Sequence, residues 1–524
     1  MTVRLGGLAY DDTPARIAYI GAGERGQRAP IIDRNGTDLA RSFQAYYLAV
    51  QPQRLVGDPA VLAEGIAGIL GERDPDDLRA ALGQNGGWRY LQRRVQPDDA
   101  AKLKALGEPG LIIEQEWERV YPNRTLAAHT LGYANVDGEG QAGLERELNA
   151  RLTDQSQLGV PVQLSLDARV QHVLVQALTD QMDKHDAIGG GGVILDVHTG
   201  EIIAMTSQPV FDPNSAGQGT MDSRFNRVTH GVYELGSTFK AFTMAMALES
   251  GTVTSMAQAY DATQPLKAGR FRIRDFHAEN RWLTVPEVFM HSSNIGTARI
   301  ALDLGGDAQR NYLRELGMLD QVSVEIAERG YPMYPERWGD ISTMTISYGH
   351  GISVTPLHLA AAYGALVNGG LYREPTLLKV GPDDLRPGRR VFSEETSGQV
   401  RALLRLVVRE GTGGKADVEG YRVGGKTGTA EKPERGSYSR SSLVTNFAGA
   451  FPIDDPRYVI VVMLDEPKGT KDTFGFATAG WTAAPVVADV VSRIGPLLGI
   501  DADPSRDIDL SPLLSHVHEP AAGG

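Results

Sequence analysis

Apolar residues in the middle of the chain recur at the spacing of one helix face. The repeat consists of Val170, Val173, Leu174, Ala177 and Leu178. Positions i, i+3, i+4, i+7 and i+8 share one side of an α-helix, so the repeat predicts a helix packed on a core. Asp167 just before it is placed to cap that helix. Four glycines, 189–192, are predicted to end the segment.

Short apolar runs in the rest of this region predict strands. Residues 192–197 and 201–205 flank a glycine-containing turn, which is the pattern of a hairpin. Further predicted strands lie at 421–429, 443–451 and 458–464, and a helix follows at 482–494. Strands at both ends with helices between them predict an α+β fold, an antiparallel sheet with segregated helices.

Three stretches have a weaker apolar pattern. In the first 160 residues, helices are predicted at 58–70 and 98–106, and Asn35-Gly36 predicts a turn between strands. Residues 431–442 hold few large apolar side chains and are predicted to form a mobile loop. Residues 501–524 are acidic and rich in proline, alanine and glycine, so they are predicted to be disordered.

Composition excludes several classes of protein. The chain has 524 residues, 41% hydrophobic and 22% charged, which is typical of a folded soluble protein. A net charge of −13 argues against a nucleic-acid-binding protein, so no nucleic-acid partner is expected. Without cysteine, the chain has no disulfide, thiolate metal ligand or cysteine nucleophile. The chain contains no run of 18 apolar residues, so no membrane-spanning helix is predicted.

The first chemical motif is Ser237-Thr238-Phe239-Lys240, which opens an apolar run at 241–248. On a helix, Ser237 and Lys240 lie one turn apart on one face. A lysine whose pKa is lowered by burial and neighbouring cations can take the proton of a serine nucleophile. The alternative is a cap serine beside a solvated lysine. A Ser-x-x-Lys match arises by chance about once in a chain of this length.

The second motif is Ser292-Ser293-Asn294, which follows a short helix begun by Thr284 and Pro286. A Ser-x-Asn turn can direct a hydroxyl and an amide toward one point. An ordinary turn or helix cap is the alternative, because serine and asparagine dominate both.

The third motif is Lys426-Thr427-Gly428-Thr429, inside a predicted strand. Glycine in a strand often marks a close backbone approach, here by a substrate. Lysine and threonine beside it could bind a carboxylate. A turn with a solvated lysine is the alternative.

The order of the three motifs is more specific than any one of them. Ser-x-x-Lys, Ser-x-Asn and Lys-Thr-Gly in that order are the signature of acyl-serine enzymes that react with penicillin. The chain resembles the class B penicillin-binding proteins, and within them the cell-division transpeptidases. The resemblance extends to a box at 28–36, to Tyr121-Pro122-Asn123 and 138–145, and to Gly349-His350-Gly351. Ala29 and Leu235 depart from the family pattern, away from the reacting groups.

The resemblance implies a domain organisation. It predicts an N-terminal segment at 1–27, an extended pedestal domain at 28–160 and a penicillin-binding, β-lactamase-like transpeptidase domain at 161–500. Family members carry a membrane anchor just before the first box, and we expect that anchor to be missing from this version of the chain. The implied location is the periplasmic side of the cell inner membrane, at the division septum.

The resemblance also implies a reaction and its partners. Ser237 would attack a stem peptide ending in D-Ala-D-Ala, with Lys240 as base, Ser292 as proton relay and Asn294 orienting Lys240. Lys426, Thr427, Gly428 and Thr429 would bind the substrate, and the backbone N–H groups of Ser237 and Thr429 would form the oxyanion hole. The implied partners are peptidoglycan stem peptides, an acceptor amine, β-lactams, a SEDS-type glycosyltransferase and other division proteins, without metal or cofactor.

Other readings of the motifs stay open at this stage. A D,D-carboxypeptidase or β-lactamase would use the same triad with water in place of the amine, and a scaffold protein could keep the fold without activity. Gly138, Gly140 and Gly143 match a dinucleotide fingerprint, but no βαβ repeat surrounds them. His516 and His518 could bind a metal, but a flexible tail offers no preformed site.

Overall fold

The structure, a computed structural model, describes residues 26–71, 73–83, 86–434 and 437–518. These residues fall into two compact units. The first lies within Met1–Ile32, Asp38–Pro122 and Leu131–Val162, and the second within Asp33–Thr37, Asn123–Thr130 and Gln163–Gly524. Most of the predicted N-terminal segment and the last six residues of the predicted tail lie outside the described residues.

Both units contain strands and short or medium helices. The strands are β1 Ile31–Ile32, β2 Asp38–Val50, β3 Arg89–Val95, β4 Leu111–Val120, β5 Tyr133–Ala134, β6 Gly140–Ala142, β7 Val162–Gln163, β8 Gly189–Asp196, β9 Ile202–Gln208, β10 Ala259–Asp261, β11 Leu266–Ala268, β12 Phe271–Ile273, β13 Trp282–Thr284, β14 Leu371–Tyr372, β15 Arg389–Arg390, β16 Gly424–Glu434, β17 Ser437–Phe451 and β18 Tyr458–Asp465. The helices are α1 Pro59–Leu70, α2 Pro75–Gly83, α3 Pro97–Ala105, α4 Ala128–Leu131, α5 Gly143–Glu147, α6 Asn149–Leu152, α7 Ala168–Lys184, α8 Met221–Arg224, α9 Lys240–Glu249, α10 Val285–Met290, α11 Asn294–Leu304, α12 Gly306–Glu315, α13 Asp340–Ile346, α14 Pro356–Val367, α15 Glu394–Glu410, α16 Ala483–Leu497 and α17 Ser511–Leu514. Among the described residues, no helix has the length and apolarity needed to cross a bilayer.

The first unit contains an antiparallel sheet whose strands share a core with three helices. Strand β2 pairs antiparallel with β1, β3 and β4, and buried side chains of α1, α2 and α3 join the strands in one core. Asp58 caps α1 by accepting a hydrogen bond from Ala60 N at 2.8 Å. The two helices predicted in this region are confirmed. The predicted Asn35-Gly36 turn is also confirmed, with a φ of 91° at Gly36.

A buried ion cluster joins two distant sequence boxes of the first unit. Arg28 Nε lies 2.6 Å from Glu145 Oε2, and Arg119 Nε lies 2.7 Å from Glu145 Oε1, with all three side chains buried. Gly138 contributes a carbonyl that accepts from Arg28 at 2.6 Å. Strands β5 and β6 pair antiparallel here, so the glycine pattern at 138–143 supports this cluster and does not belong to a βαβ nucleotide site.

An antiparallel sheet in the order β16-β17-β18-β8-β9 forms the centre of the second unit. Helices α7 and α16 share a core with Ile194, Phe447 and other side chains of one sheet face. Neighbouring residues of a strand point to opposite faces. Leu195 therefore points to the other face, where Gly364 of α14 approaches it. Asp167 accepts from Arg169 N at 3.0 Å and caps α7, as predicted.

The glycines at 189–192 form the beginning of β8, so the prediction that they end a segment is wrong. A Cβ on Gly190 would lie 3.0 Å from Met182 Sδ, and a Cβ on Gly192 would lie 2.9 Å from Leu174 Cδ1. Glycine thus lets α7 lie close to the strand. From the sequence alone a run of glycines indicates a break, because the sequence does not show that a helix packs against these residues.

The prediction of a loop at 431–442 is also wrong. Strands β16 and β17 continue to pair through it, from Glu431 opposite Leu443 to Glu434 opposite Ser437, with a register shift after Glu431. Residues 435 and 436 lie outside the described residues. The mobility of this hairpin stays a prediction.

Residues 501–518 pack on the second unit, so the predicted disorder is wrong for them. Asp507 accepts hydrogen bonds from the buried guanidinium of Arg405 at 2.8 and 2.5 Å, and Leu513 is buried. His518 Nδ1 lies 3.0 Å from Glu287 Oε1. The composition indicated disorder because charged residues in such a segment are usually solvated, whereas charged residues of this segment have specific partners.

Candidate active site

Ser237 lies in a 3-10 turn, Gly236–Phe239, that runs directly into α9. Three residues per turn put Ser237 and Lys240 on the same side, and Lys240 Nζ lies 3.0 Å from Ser237 Oγ. The predicted placement of Ser237 and Lys240 on one helical face, one turn apart, is therefore confirmed, with the first turn in 3-10 geometry. Gly236 has a φ of 59°, and a Cβ there would lie 2.8 Å from Thr429 O. Glycine allows this turn to approach β16 closely.

Ser292 and Asn294 reach Lys240 from the link between α10 and α11. Thr284 and Glu287 form a capping box at the start of α10, and Ser293 caps α11 by accepting from Gly296 N at 2.9 Å. Ser292 between the helices has a φ of 58°. Lys240 Nζ lies 2.6 Å from Ser292 O, 3.0 Å from Ser292 Oγ and 2.7 Å from Asn294 Oδ1. The structure thus brings the first two predicted motifs together.

Strand β16 places the third motif beside the other two. Lys426 is fully buried, and its Nζ lies 3.0 Å from Ser292 Oγ. The Oγ1 atoms of Thr427 and Thr412 lie 2.7 Å apart. Thr429 Oγ1 accepts from Ala479 N at 3.1 Å. One hydroxyl, that of Ser292, is therefore shared by both lysines of the site.

Gly428 lets β16 lie against the residue that precedes the nucleophile turn. A Cβ on Gly428 would lie 2.3 Å from Leu235 O and 2.8 Å from Asn446 Oδ1. Asn446 Nδ2 donates to Leu235 O at 3.0 Å and so fixes the same carbonyl. All eight predicted site residues lie in this region. Gly428 offers no side chain to a substrate, and its role is to allow the close approach of β16 to Leu235.

Both lysines have lowered pKa values. Burial, followed by the positive charge of Lys426, lowers the pKa of Lys240 well below its ordinary value, while Asp275 opposes this shift. Burial alone lowers the pKa of Lys426 to about 7. An amine in this setting is neutral at a pH where a solvated lysine is charged, so Lys240 can accept a proton from Ser237.

Sequence reasoning missed the residues that hold these groups in place. Thr412 and Asn446 contact the third motif and the nucleophile turn, yet each is an ordinary polar residue in the sequence. Asn446 offered one signal, because a lone asparagine inside a predicted apolar strand is uncommon and needs buried partners. Thr412 offered none.

The fold and the site define a penicillin-binding protein. The penicillin-binding protein transpeptidase domain matches residues 190–491, and the penicillin-binding protein dimerisation domain matches residues 24–160. The chain belongs to this family, in the class B group that combines the two domains. The predicted family and the predicted α+β transpeptidase fold with a preceding domain are confirmed.

Relatives with specific names cover most of the chain. The probable peptidoglycan D,D-transpeptidase FtsI of Caulobacter vibrioides is 40% identical over 91% of this chain and 82% of its own length. FtsI of Escherichia coli is 31% identical over 91% of this chain and 84% of its own. A crystal structure of penicillin-binding protein 3 from Mycobacterium tuberculosis with aztreonam has a TM-score of 0.72 at 26% identity, covering 92% and 98% of the two chains.

Proposed function

We propose that this chain is a peptidoglycan D,D-transpeptidase that cross-links stem peptides in septal wall synthesis and is inhibited covalently by β-lactams. The observation that carries this proposal is the position of Lys240 Nζ, within hydrogen-bond distance of Ser237 Oγ, Ser292 Oγ and Asn294 Oδ1. The relatives named D,D-transpeptidase support the reaction class, and the aztreonam complex of a solved relative supports the inhibitor class.

Acylation begins at Ser237. Neutral Lys240 takes the hydroxyl proton while the serine oxygen attacks the carbonyl between the last two D-alanines. The resulting oxyanion is stabilised by the backbone N–H groups of Ser237 and Thr429. Gly236 supports this geometry, because its backbone lies against that of Thr429. Loss of one oxyanion donor typically costs about 10²–10³ in rate, so the close approach of turn and strand matters for the reaction.

Collapse of the tetrahedral intermediate expels D-alanine, whose nitrogen needs a proton. Ser292 relays it, since its Oγ lies 3.0 Å from Lys240 Nζ, which holds the proton taken from Ser237. Lys426 Nζ, also 3.0 Å from Ser292 Oγ, keeps that hydroxyl in place. Asn294 orients Lys240 through its Oδ1. The proton thus moves from Ser237 through Lys240 and Ser292 to the leaving group.

The terminal carboxylate of the donor binds to Lys426, Thr427 and Thr429, while Gly428 allows their strand to lie close to Leu235. Lys426 has a pKa of about 7 in the absence of substrate. An arriving carboxylate favours its charged form, so binding draws a proton onto this lysine. The Thr427 hydroxyl is already fixed by Thr412. An acceptor amine then attacks the acyl-enzyme and releases Ser237.

The finer assignments follow the family. Residues 28–160 form the pedestal domain and 161–500 the transpeptidase domain. The chain works on the periplasmic side of the inner membrane at the septum, with a SEDS-type glycosyltransferase and other division proteins as partners. The matches to a dimerisation domain and to FtsI proteins support these assignments.

A product assay tests this function. The chain is incubated with a peptide donor ending in D-Ala-D-Ala and an amine acceptor, and the products are resolved by mass spectrometry. A cross-linked product that depends on Ser237 supports the proposal. Release of D-alanine without a cross-linked product, so that water alone accepts the acyl group, would indicate a hydrolase. Absence of both turnover and a penicillin adduct would indicate a scaffold.

A further inference from the structure

The loop between β12 and β13 contacts the Ser-x-Asn motif. Arg274 and Asp275 directly follow β12. Asp275 Oδ2 accepts from Ser293 Oγ at 2.7 Å, and its Oδ1 accepts from Ile295 N at 2.9 Å. Both contacts lie at the point where α11 begins. No catalytic motif includes Asp275, and it lies 18 residues before Ser293 in the chain.

The same loop orients the Asn294 amide. Asn294 Nδ2 donates to the carbonyl of Arg274 at 3.0 Å, which leaves Oδ1 directed at Lys240 Nζ, 2.7 Å away. Two consecutive loop residues therefore hold residues 293, 294 and 295 by three hydrogen bonds. This matters because Ser292 has a φ of 58°, a backbone conformation that a serine does not keep without support.

Resting on the function proposed above, we infer that Asp275 is a positioning residue for the transpeptidase reaction. Its carboxylate clamps the turn at 292–294 so that Ser292 Oγ and Asn294 Oδ1 stay on Lys240. It touches neither Ser237 nor the carboxylate-binding strand through any described hydrogen bond. Its role is therefore exerted through Ser293 and Ile295.

The clamp does not depend on the negative charge of Asp275. An asparagine at this position keeps an oxygen for Ile295 N, and its Nδ2 can donate to Ser293 Oγ, which has a free acceptor site besides the one used by Gly296 N. The charge of Asp275 raises the pKa of Lys240, so its removal favours the neutral base. Asparagine should thus preserve most of the acylation rate that alanine loses.

The test compares Asp275→Ala, Asp275→Asn and a control, Asp261→Ala. Asp261 makes the same kind of contacts, with Thr263 N at 2.9 Å and Thr263 Oγ1 at 2.6 Å, and lies 3.6 Å from Arg299 of α11, but it contacts no residue of a catalytic motif. Acylation by a fluorescent penicillin is followed over a range of drug concentrations, which separates the acylation rate constant from the affinity of the non-covalent complex. Melting temperatures are recorded for every variant.

In Asp275→Ala the acylation rate constant should fall about 10–100-fold, the loss typical of a reacting group displaced by about 1 Å, with affinity little changed. Asp275→Asn should recover the rate to within a few-fold, and Asp261→Ala should match the wild type. If Asp275→Ala does not fold, Ser293→Ala, which removes the hydrogen bond to Asp275 together with the cap of α11, should show a loss of the same kind.

Acylation of Asp275→Ala at the wild-type rate would overturn the inference, as would an asparagine variant as slow as the alanine variant. A loss seen only in affinity would also overturn it. Failure of the wild type to label would overturn the proposed function instead, so the two failures are distinguishable.

Discussion

Lys240 Nζ lies 3.0 Å from Ser237 Oγ, with the lysine side chain fully buried and the serine partly exposed. The base is shielded from water while the nucleophile remains open to substrate. Burial and the neighbouring Lys426 both lower the pKa of Lys240, which favours the neutral amine that can accept the serine proton. The acyl chemistry of this chain depends on that one pair.

Replacement of the base should abolish most acylation. Lys240→Met keeps the buried volume without the amine, and acylation by penicillin should slow by about 10²–10⁴-fold, the usual contribution of a general base. The measurement is the rate of covalent labelling by a fluorescent penicillin, read from gels of samples quenched at successive times. Lys415→Ala, at an exposed lysine that lies over the Trp481 ring, is the control and should label normally. Labelling of Lys240→Met at the control rate would remove Lys240 from this role.

Binding of the drug should weaken as pH rises. Lys426 has a pKa of about 7, so it loses its charge above that pH and attracts the penicillin carboxylate less. The dissociation constant of the non-covalent complex should therefore increase from about pH 6 to about pH 9. Lys426→Met should bind weakly throughout that range and show little pH dependence. A dissociation constant that stays flat in the wild type would contradict the assignment.

Gly428→Ala should separate β16 from the nucleophile turn. The new Cβ would lie 2.3 Å from Leu235 O, a distance that requires the backbone to move. Acylation should slow by about 10–100-fold because the displaced strand carries Thr429 of the oxyanion hole. Gly217→Ala is the matched control, since nothing lies within 4 Å of its Cβ. Equal labelling rates in the two variants would show that the contact at Gly428 is unimportant.

The contrast between Lys240 and Asp275 shows what sequence reasoning could reach. Lys240 was predictable because its partner Ser237 lies one turn away and because three motifs occur in a known order. Asp275 was not, because its function depends on a loop meeting a helix start 18 residues further on. The prediction for the glycines of β8 was wrong for a similar reason, since these residues are explained by the close packing of helix α7 against the strand. Periodicity locates elements, whereas contacts between elements determine which polar residues matter.

Glu287 should stabilise the protein in a pH-dependent way. Burial alone would raise its pKa, but hydrogen bonds from Thr284, His518 and Arg281 lower it to about 2. Because the pKa is depressed in the folded state, this stabilisation is fully present above the unfolded value of about 4.3 and is lost as pH falls toward about 2. Glu287→Gln should therefore lower the melting temperature near pH 7, with a smaller difference near pH 3. A difference that is constant with pH would contradict this account.

The lifetime of the penicillin adduct tests the central claim most directly. The wild-type chain is treated with an equimolar amount of penicillin, and its intact mass is followed over time, with peptide mapping of the modified residue. We expect one covalent adduct on Ser237 that persists for many minutes, because Lys240 and Ser292, the groups placed at the nucleophile, serve an acceptor amine, and the drug's own amine stays tethered to the acyl group. Rapid loss of the adduct with repeated consumption of drug, or an adduct at another residue, would contradict it.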